Sequence, residues 1–498
     1  MAGLLLLPVA CDDLLDQQPQ GQWTAEDNKG GSFATEIFSM YSKVRGFNVT
    51  TGNVALAIHN FRCEDIEKGS TASDGAAWAT QFDNFNYSPS MEGISAYWTN
   101  NYAIAHIANK VLADIESAET QGLQLTEGDF INKAEALFFR AFVYFNLVRA
   151  FGEVPLIDFP ITDAAEANVP KSTVDKIYEL IDADLREAAT LPIPRTWGSQ
   201  YPGRLTWGAV KSLHAKTYLQ RNNFGSVLSL ATEVIGSRQY NLSTPFNKVF
   251  REEGENCSES VWELQCTSTP ELPGSNDIGS QYAAVQGCRG AGDWNFGWGW
   301  HCPTQQLADA FETGDPRKDE TLLYFYKTGE DPATCPANTP WGEKPVANAD
   351  VINKYYNKKA YGDPALRAIY TKGCYWINIR MIRYSDVLLM AAEAANEQGA
   401  TADALDYLEQ VRARARAGND ALLPKVTTTD KALLRAAIKH ERRVELAMEW
   451  DRFYDLVRWG DAPAILGSMG YQAKHQYLPL PQTEIDKSNG VLIQNPNY

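Results

Sequence analysis

The sequence predicts a mainly α-helical fold, with paired helices forming a scaffold that carries one large irregular, loop-rich insert. Two observations lead there. Apolar residues recur at gaps of three and four before position 240 and again after 372, the spacing that lines one face of a helix. Between those limits the period lapses, and aromatic and cysteine residues crowd into an irregular stretch. Residues 11–239 and 373–498 are expected to build the scaffold, and 240–372 the insert of the same globular unit.

The N-terminal run GLLLLPVA (3–10) is far too short to span a bilayer and suits a signal segment over 1–10. No Lys or Arg precedes it, so a truncated start is expected. Helices follow over 33–47 and 97–118, the second with Tyr97, Ile104, Ile107, Val111, Leu112 and Ile115 on one face. The intervening 60–95, rich in Gly, Ser, Asp and aromatics, reads as a long surface excursion. The clearest helix runs from 130 to 151, with Ala134, Leu137, Phe138, Ala141, Phe142, Phe145 and Val148 as its stripe and Gly152 and Pro155 as its stop. Another spans 172–189, capped by Ser172 or Thr173. Pairs then recur at 206–221 with 225–237 and at 384–398 with 402–417. Their alternating Ala, Tyr and Leu resemble tetratricopeptide repeats, although the insert breaks the period that an uninterrupted solenoid would keep.

The stretch Lys431 to Gly460 is read as one helix. Leu434, Ile438, Glu441, Glu445, Met448, Arg452 and Leu456 share its face. Charges within an apolar stripe require partners, because an isolated buried ion costs several kcal/mol. Glu441 and Glu445 are therefore expected to meet arginines, with Arg452 on the same stretch and Arg383 elsewhere as the best-placed partners. The role is structural.

Composition narrows the function. Across 498 residues, 44% apolar and 21% charged content are those of a globular protein. A net charge of −17 argues against nucleic acid, which needs clustered Lys and Arg, and any membrane attachment should use an anchor instead of a basic face. Apart from Cys11, the cysteines are Cys63, Cys257, Cys266, Cys288, Cys302, Cys335 and Cys374. In an exported chain disulfides are permitted, with Cys257–Cys266 or Cys288–Cys302 as short closures. No spacing supports zinc, and neither metal nor cofactor is expected. No G-x-S-x-G, Walker loop or HExxH motif occurs. Asp315, Arg317 and Asp319 in GDPRKDE could hold calcium, but a turn with local salt bridges is the more economical reading.

The 13 Trp and 23 Tyr stand out in a fairly polar chain. In DWNFGWGWHCP (293–303), Trp294, Phe296, Trp298 and Trp300 alternate with Asn295 and glycines, so an extended segment would project all four rings from one face. Flat rings offer apolar area to sugar C–H faces, while neighbouring amides and carboxylates read hydroxyls. Packing the loop onto the scaffold is the competing role, and the set divides between the two. A second cluster holds Asp74, Trp78, Phe82, Phe85, Tyr87 and Tyr97, with Trp98 and Asn101 beginning the next helix. Trp341, Tyr355, Tyr356 and Tyr361 form a weaker third.

The order I-x-x-E-R-x-x-E-L-x-x-E-x-x-R-x-x-D-L-x-R-W-G (438–460) resembles the C-terminal signature of the SusD/RagB family. LFFRAFVYFNLVRAFGEVPL (137–156), RLTWGAVKSLHAKTYL (204–219), IRYSDVLLMAAEAANEQG (382–399) and the tail YLPLPQTEIDKSNGVLIQNPNY (477–498) resemble further family elements in order. Cys11 and the acidic residues after it look like the family's lipoprotein opening, except that Pro8 stands where Leu is usual. The resemblance implies a lipid-anchored protein of the outer membrane and cell surface, acylated at Cys11. It would bind oligo- or polysaccharide without catalysis and serve a SusC-like TonB-dependent transporter. Peptide capture of the RagB type is the alternative, and a glycoside hydrolase a more distant one. The family places aromatic platforms in the 74–101 region and in the insert, so the resemblance points to Asp74, Trp78, Trp98, Asn101, Trp294, Asn295, Phe296, Trp298 and Trp300 as ligand-binding candidates by region only.

Overall fold

Helix α3 (Glu127–Phe151) is the axis of the molecule. Thr126 caps it reciprocally: the Asp129 carboxylate accepts the Thr126 N–H at 2.8 Å, and the Thr126 hydroxyl accepts the Asp129 N–H at 3.3 Å. Nearly every residue from Ile131 to Phe151 is buried, which is why its hydrophobic stripe spreads around the helix. Its buried charges are paired: Glu135 with Arg204 at 2.7 Å and Arg140 with Asp184 at 2.7 Å. The helix ends at Gly152, whose φ of +75° only glycine adopts readily. A Cβ there would also stand 3.0 Å from the Tyr477 ring.

The computed structural model describes residues 31–71, 74–75, 77–289, 295–324, 338–343 and 352–498. The signal segment 1–10, Cys11, Trp294 and Cys335 lie outside them. The principal helices around α3 are α1 (Ala34–Val44), α2 (Glu92–Thr120), α4 (Val174–Ala188), α5 (Trp207–Gln220), α6 (Phe224–Gly236), α7 (Tyr384–Glu397), α8 (Thr401–Ala415), α9 (Lys431–Glu445) and α10 (Arg452–Trp459). From α2 to α8 each packs on the next, and α6 packs directly on α7 although the whole insert separates them in sequence. The solenoid broken in the chain is thus continuous in space. Among the described residues, no helix is long and apolar enough to cross a membrane.

The strands are short and pair antiparallel: β1 (Ile66–Gly69) with β5 (Trp300–Pro303), β2 (Val154–Pro155) with β3 (Lys171–Ser172), β4 (Ser260–Leu264) with β8 (Ile379–Arg383), and β6 (Leu322–Tyr324) with β7 (Tyr355–Asn357). The β4–β8 pair knits the start of the insert to the strand that leads into α7.

Three expectations need correction. The 431–460 stretch is two helices, α9 and α10, joined by a turn in which Met448 has φ +66°. Its acids do meet arginines, but from other elements. Glu441 contacts Arg317, and lies 2.8 Å from Arg412. Glu445 lies 3.0 Å from Arg317, 2.8 Å from Arg383 and 2.6 Å from Arg414. Arg452, turned away by the break, pairs with Glu64 and Asp65 instead. Burial alone would raise the Glu445 carboxyl, yet Arg414, Arg383 and Arg317 hold it below the usual range.

The 60–95 region does not begin as a surface excursion. Every residue from 60 to 66 is buried, because the polar ones are paired: Arg62 donates to the Ile58 carbonyl at 2.8 Å, and Asp65 faces Arg443 at 2.5 Å. Finally, Cys63, Cys257, Cys266, Cys288, Cys302 and Cys374 are all free thiols. Neither Cys257–Cys266 nor Cys288–Cys302 is formed; the Cys302 thiol donates instead to the Gly299 carbonyl at 3.3 Å.

Candidate functional site

The aromatic run of the insert is shaped by its ribbon. Gly69 lies opposite Trp300 in the β1–β5 register, with φ +74° and no room for a Cβ, which would fall 2.5 Å from Cys302 Sγ. Gly299 also has φ +74°, and a Cβ there would fall 2.9 Å from Arg289 Cβ. These two glycines let three segments, around Ser70, Arg289 and Trp298, converge. The ribbon is anchored at its far end. Thr304 donates to the Asp65 carbonyl through its N–H at 2.9 Å and to the Glu64 carbonyl through its hydroxyl at 2.7 Å. Those two acids are the ones that Arg452 and Arg443 hold.

At the near end Trp298 lies on the surface, 38% exposed. Its ring leans on Trp300 at 5.2 Å and 60°, and on the edge of Phe47 at 6.3 Å and 65°. Trp300 is buried, and its indole N–H donates to Asp74 at 2.7 Å. The Asp74 carboxylate has no exposed surface and is held by Lys68 Nζ at 2.9 Å. Lys68 Nζ also donates to the Thr71 carbonyl at 2.8 Å. Asp74 therefore locks Trp300 beneath Trp298. Beside the exposed ring is Arg289, whose half-exposed guanidinium lies 3.9 Å from Asp74 and 3.5 Å from the Ser70 hydroxyl, and Asn295, three residues before Trp298 in the chain, is exposed. Beyond Ser70, Asn353 accepts the Ser70 N–H at 2.8 Å and donates to Glu67 at 2.9 Å. Burial pushes the neighbouring Asp83 carboxyl up to about 8, even though it accepts the Lys68 N–H at 3.1 Å.

The remaining candidates are spread out. Trp78 is half-buried, edge-on to Phe82 at 6.2 Å, and within 3.4 Å of the Cβ position of Gly93 at the start of α2. Phe296 is buried against Tyr361 at 5.5 Å and under Arg367 at 4.2 Å, so the four rings do not form one outward face. Asn101 is fully buried and spans α2 and α3, donating to the Tyr97 carbonyl at 2.8 Å and accepting from Asn146 at 3.4 Å. Trp98 is 4% exposed, packed on Phe151 and Tyr102. It lines a different hollow of about 430 Å³, together with Tyr102, His106, Ile157, Val169 and Leu492. Arg289, Phe47 and Asn353 were missed because they are single residues far apart in the chain, with no spacing to mark them.

Two further features bear on chemistry. Among the described residues, no group of three or more His, Cys, Asp or Glu side chains could hold a metal ion. In GDPRKDE, Asp315 caps the short helix Pro316–Thr321 and pairs with Arg317 at 2.8 Å, which spends that carboxylate on the turn and the salt bridge. The site offers a flat ring held by a fixed ribbon, with a guanidinium beside it, suited to stacking and hydrogen bonding.

Known proteins share this architecture. The family model described as SusD family matches residues 258–476, and the one described as starch-binding associating with outer membrane matches 22–219. The chain belongs to the SusD/RagB family. SusD-like protein P2 of Formosa agariphila is 27% identical, over 99% of this chain and 98% of its own. A SusD-like protein of Bacteroides ovatus is 25% identical, over 92% and 81%. Among solved structures, a laminarin-binding SusD-like protein superposes with a TM-score of 0.76 at 26% identity, covering 93% of this chain and 98% of its own. Surface glycan-binding protein A of Bacteroides thetaiotaomicron, in complex with laminarihexaose, does so with a TM-score of 0.74 at 22% identity, covering 93% and 98%, and shares the fold.

Proposed function

We propose that the protein binds oligo- or polysaccharide at the cell surface without cleaving it and passes it to a SusC-like TonB-dependent transporter. The observation that carries this reading is Trp298: a large flat ring left in water, while the two groups behind it, Trp300 and Asp74, are fixed by buried hydrogen bonds and an ion pair. A ring held in place loses little freedom when a sugar stacks on it. Arg289 and Asn295 then supply donors, and Asn295 an acceptor, to the hydroxyls. The laminarin-binding relative supports carbohydrate as the ligand class. Acylation at Cys11 would tether the molecule to the outer membrane, in keeping with the description of the family model that matches 22–219.

The test is affinity electrophoresis on polysaccharide gels, with Trp298→Ala as the control. Retention of the native protein and its loss in the variant are expected. Equal retention of both would remove the ledge from the reading, and release of reducing ends from the retained polysaccharide would overturn the non-catalytic assignment.

A further inference from the structure

A second exposed indole stands in the insert. Trp341 is 37% exposed and overhangs a hollow of about 410 Å³ walled by Asn247, Lys248, Arg251, Glu253, Glu320 and Asp363. Its ring is propped from behind. Tyr361 lies 5.7 Å away at 37°, and the Arg251 guanidinium lies 5.7 Å from the ring. Arg251 is fixed in turn, donating to the Lys358 and Tyr361 carbonyls at 2.9 and 3.0 Å. The hollow therefore has the same parts as the Trp298 ledge: a supported flat ring beside hydrogen-bonding groups. Its polar wall is acidic on balance: the carboxylates of Glu252, Glu253, Glu320 and Asp363 outnumber Lys248, Arg251 and Lys358, whose Nζ lies 3.3 Å from Glu320. Such a wall accepts hydrogen bonds from the hydroxyls of a neutral sugar and repels one that carries a carboxylate or sulfate.

The two indoles are linked through the insert's own rings. Phe296 stands 5.5 Å from Tyr361, and Tyr361 5.7 Å from Trp341. Phe296 precedes Trp298 by two residues, so the indoles are at most about 25 Å apart given the reach of the intervening chain. One oligosaccharide can span that interval.

We infer that the Trp341 hollow is a second subsite, for a distant unit of the same neutral glycan chain that stacks on Trp298. This rests on the reading of the Trp298 ledge as a glycan site. A chain that reaches both rings gains from the second contact without a second association step, so the subsite should register only with longer ligands.

Gels containing laminarin, amylopectin, galactomannan or arabinoxylan would identify a retained polysaccharide. Calorimetry would then compare its disaccharide and hexasaccharide on the native protein, Trp298→Ala, Trp341→Ala, Trp341→Phe and Glu320→Gln, with unchanged melting as the folding control. Trp341→Ala is expected to weaken the hexasaccharide about tenfold and leave the disaccharide unchanged. Trp341→Phe should lie between it and the native protein, and Glu320→Gln should weaken only the hexasaccharide. Native affinity for the hexasaccharide in both Trp341→Ala and Glu320→Gln, with binding lost in Trp298→Ala, would overturn this inference alone. Equal weakening of both ligands by Trp341→Ala would overturn the division into two subsites. Retention on none of the gels would overturn the underlying reading and this inference with it.

Discussion

Around α9, Arg317, Arg383, Arg412 and Arg414 enclose Glu259, Glu441 and Glu445 almost out of reach of water. Around Trp298, a large apolar ring is left in it. The first arrangement is costly, since each ion must be desolvated, and its return is one fixed geometry more than net stability. Glu259 and Arg317 belong to the insert, while the other five residues belong to β8, α8 and α9, so the belt fixes where the insert sits. The second arrangement contributes little to folding and leaves its surface for a partner molecule. One region spends charge on position, and the other spends position on recognition.

Removing one cation from the belt should produce the largest effect. Arg317→Met strands the Asp315 carboxylate and weakens the hold on Glu441 and Glu445, and should cost about 3 to 5 kcal/mol in denaturant unfolding. A loss under 1 kcal/mol would break the contrast by showing that the belt relaxes. Trp298→Ala should do the reverse, weakening glycan binding by about 2 kcal/mol, roughly thirtyfold. Its unfolding free energy should change by less than about 1 kcal/mol, read by titration and melting on one preparation. Gly299→Ala places a side chain at φ +74° against Arg289, and should destabilise by more than about 1 kcal/mol while displacing the ring that follows the ribbon.

The comparison can also be sharpened through pH. Glu445 is held below its usual range, so its contribution is present above the unfolded pKa and is lost as pH falls through the folded one. Asp83, which accepts the Lys68 N–H, keeps its proton until about pH 8, whereas the unfolded carboxyl releases it near 3.8. Between those values the native state holds more protons, so stability falls as pH rises. Asp83→Asn should flatten that fall between pH 5 and 8 in melting curves, and an unchanged slope would exclude Asp83 as its source.

Most of the scaffold was legible because helices announce themselves by period: α3, α5 to α8 and the Thr173 cap of α4 lie where the apolar spacing puts them. The break between α9 and α10 was not, because the turn ELAMEWDR contains no Gly or Pro and adopts a positive φ at a methionine. Residues 60–66 misled for a different reason: their composition is that of a surface loop, and only long-range partners such as Arg443 and Arg452 make burial tolerable. At the ledge, sequence identified the aromatic stretch but not which ring faces water. That depends on Asp74 capturing the Trp300 indole, a contact across 226 positions.

The direct packing of α6 on α7 has a consequence for how such proteins diversify. Because the helices flanking the insert are neighbours, the detour between them begins and ends at nearly one place. Lengthening a loop with tethered ends is cheap, about 0.6 kcal/mol per doubling. A chimera carrying another protein's detour should therefore fold on this scaffold, provided the guest brings its own equivalents of Glu259 and Arg317 to dock with the host's Arg383, Arg414, Glu441 and Glu445.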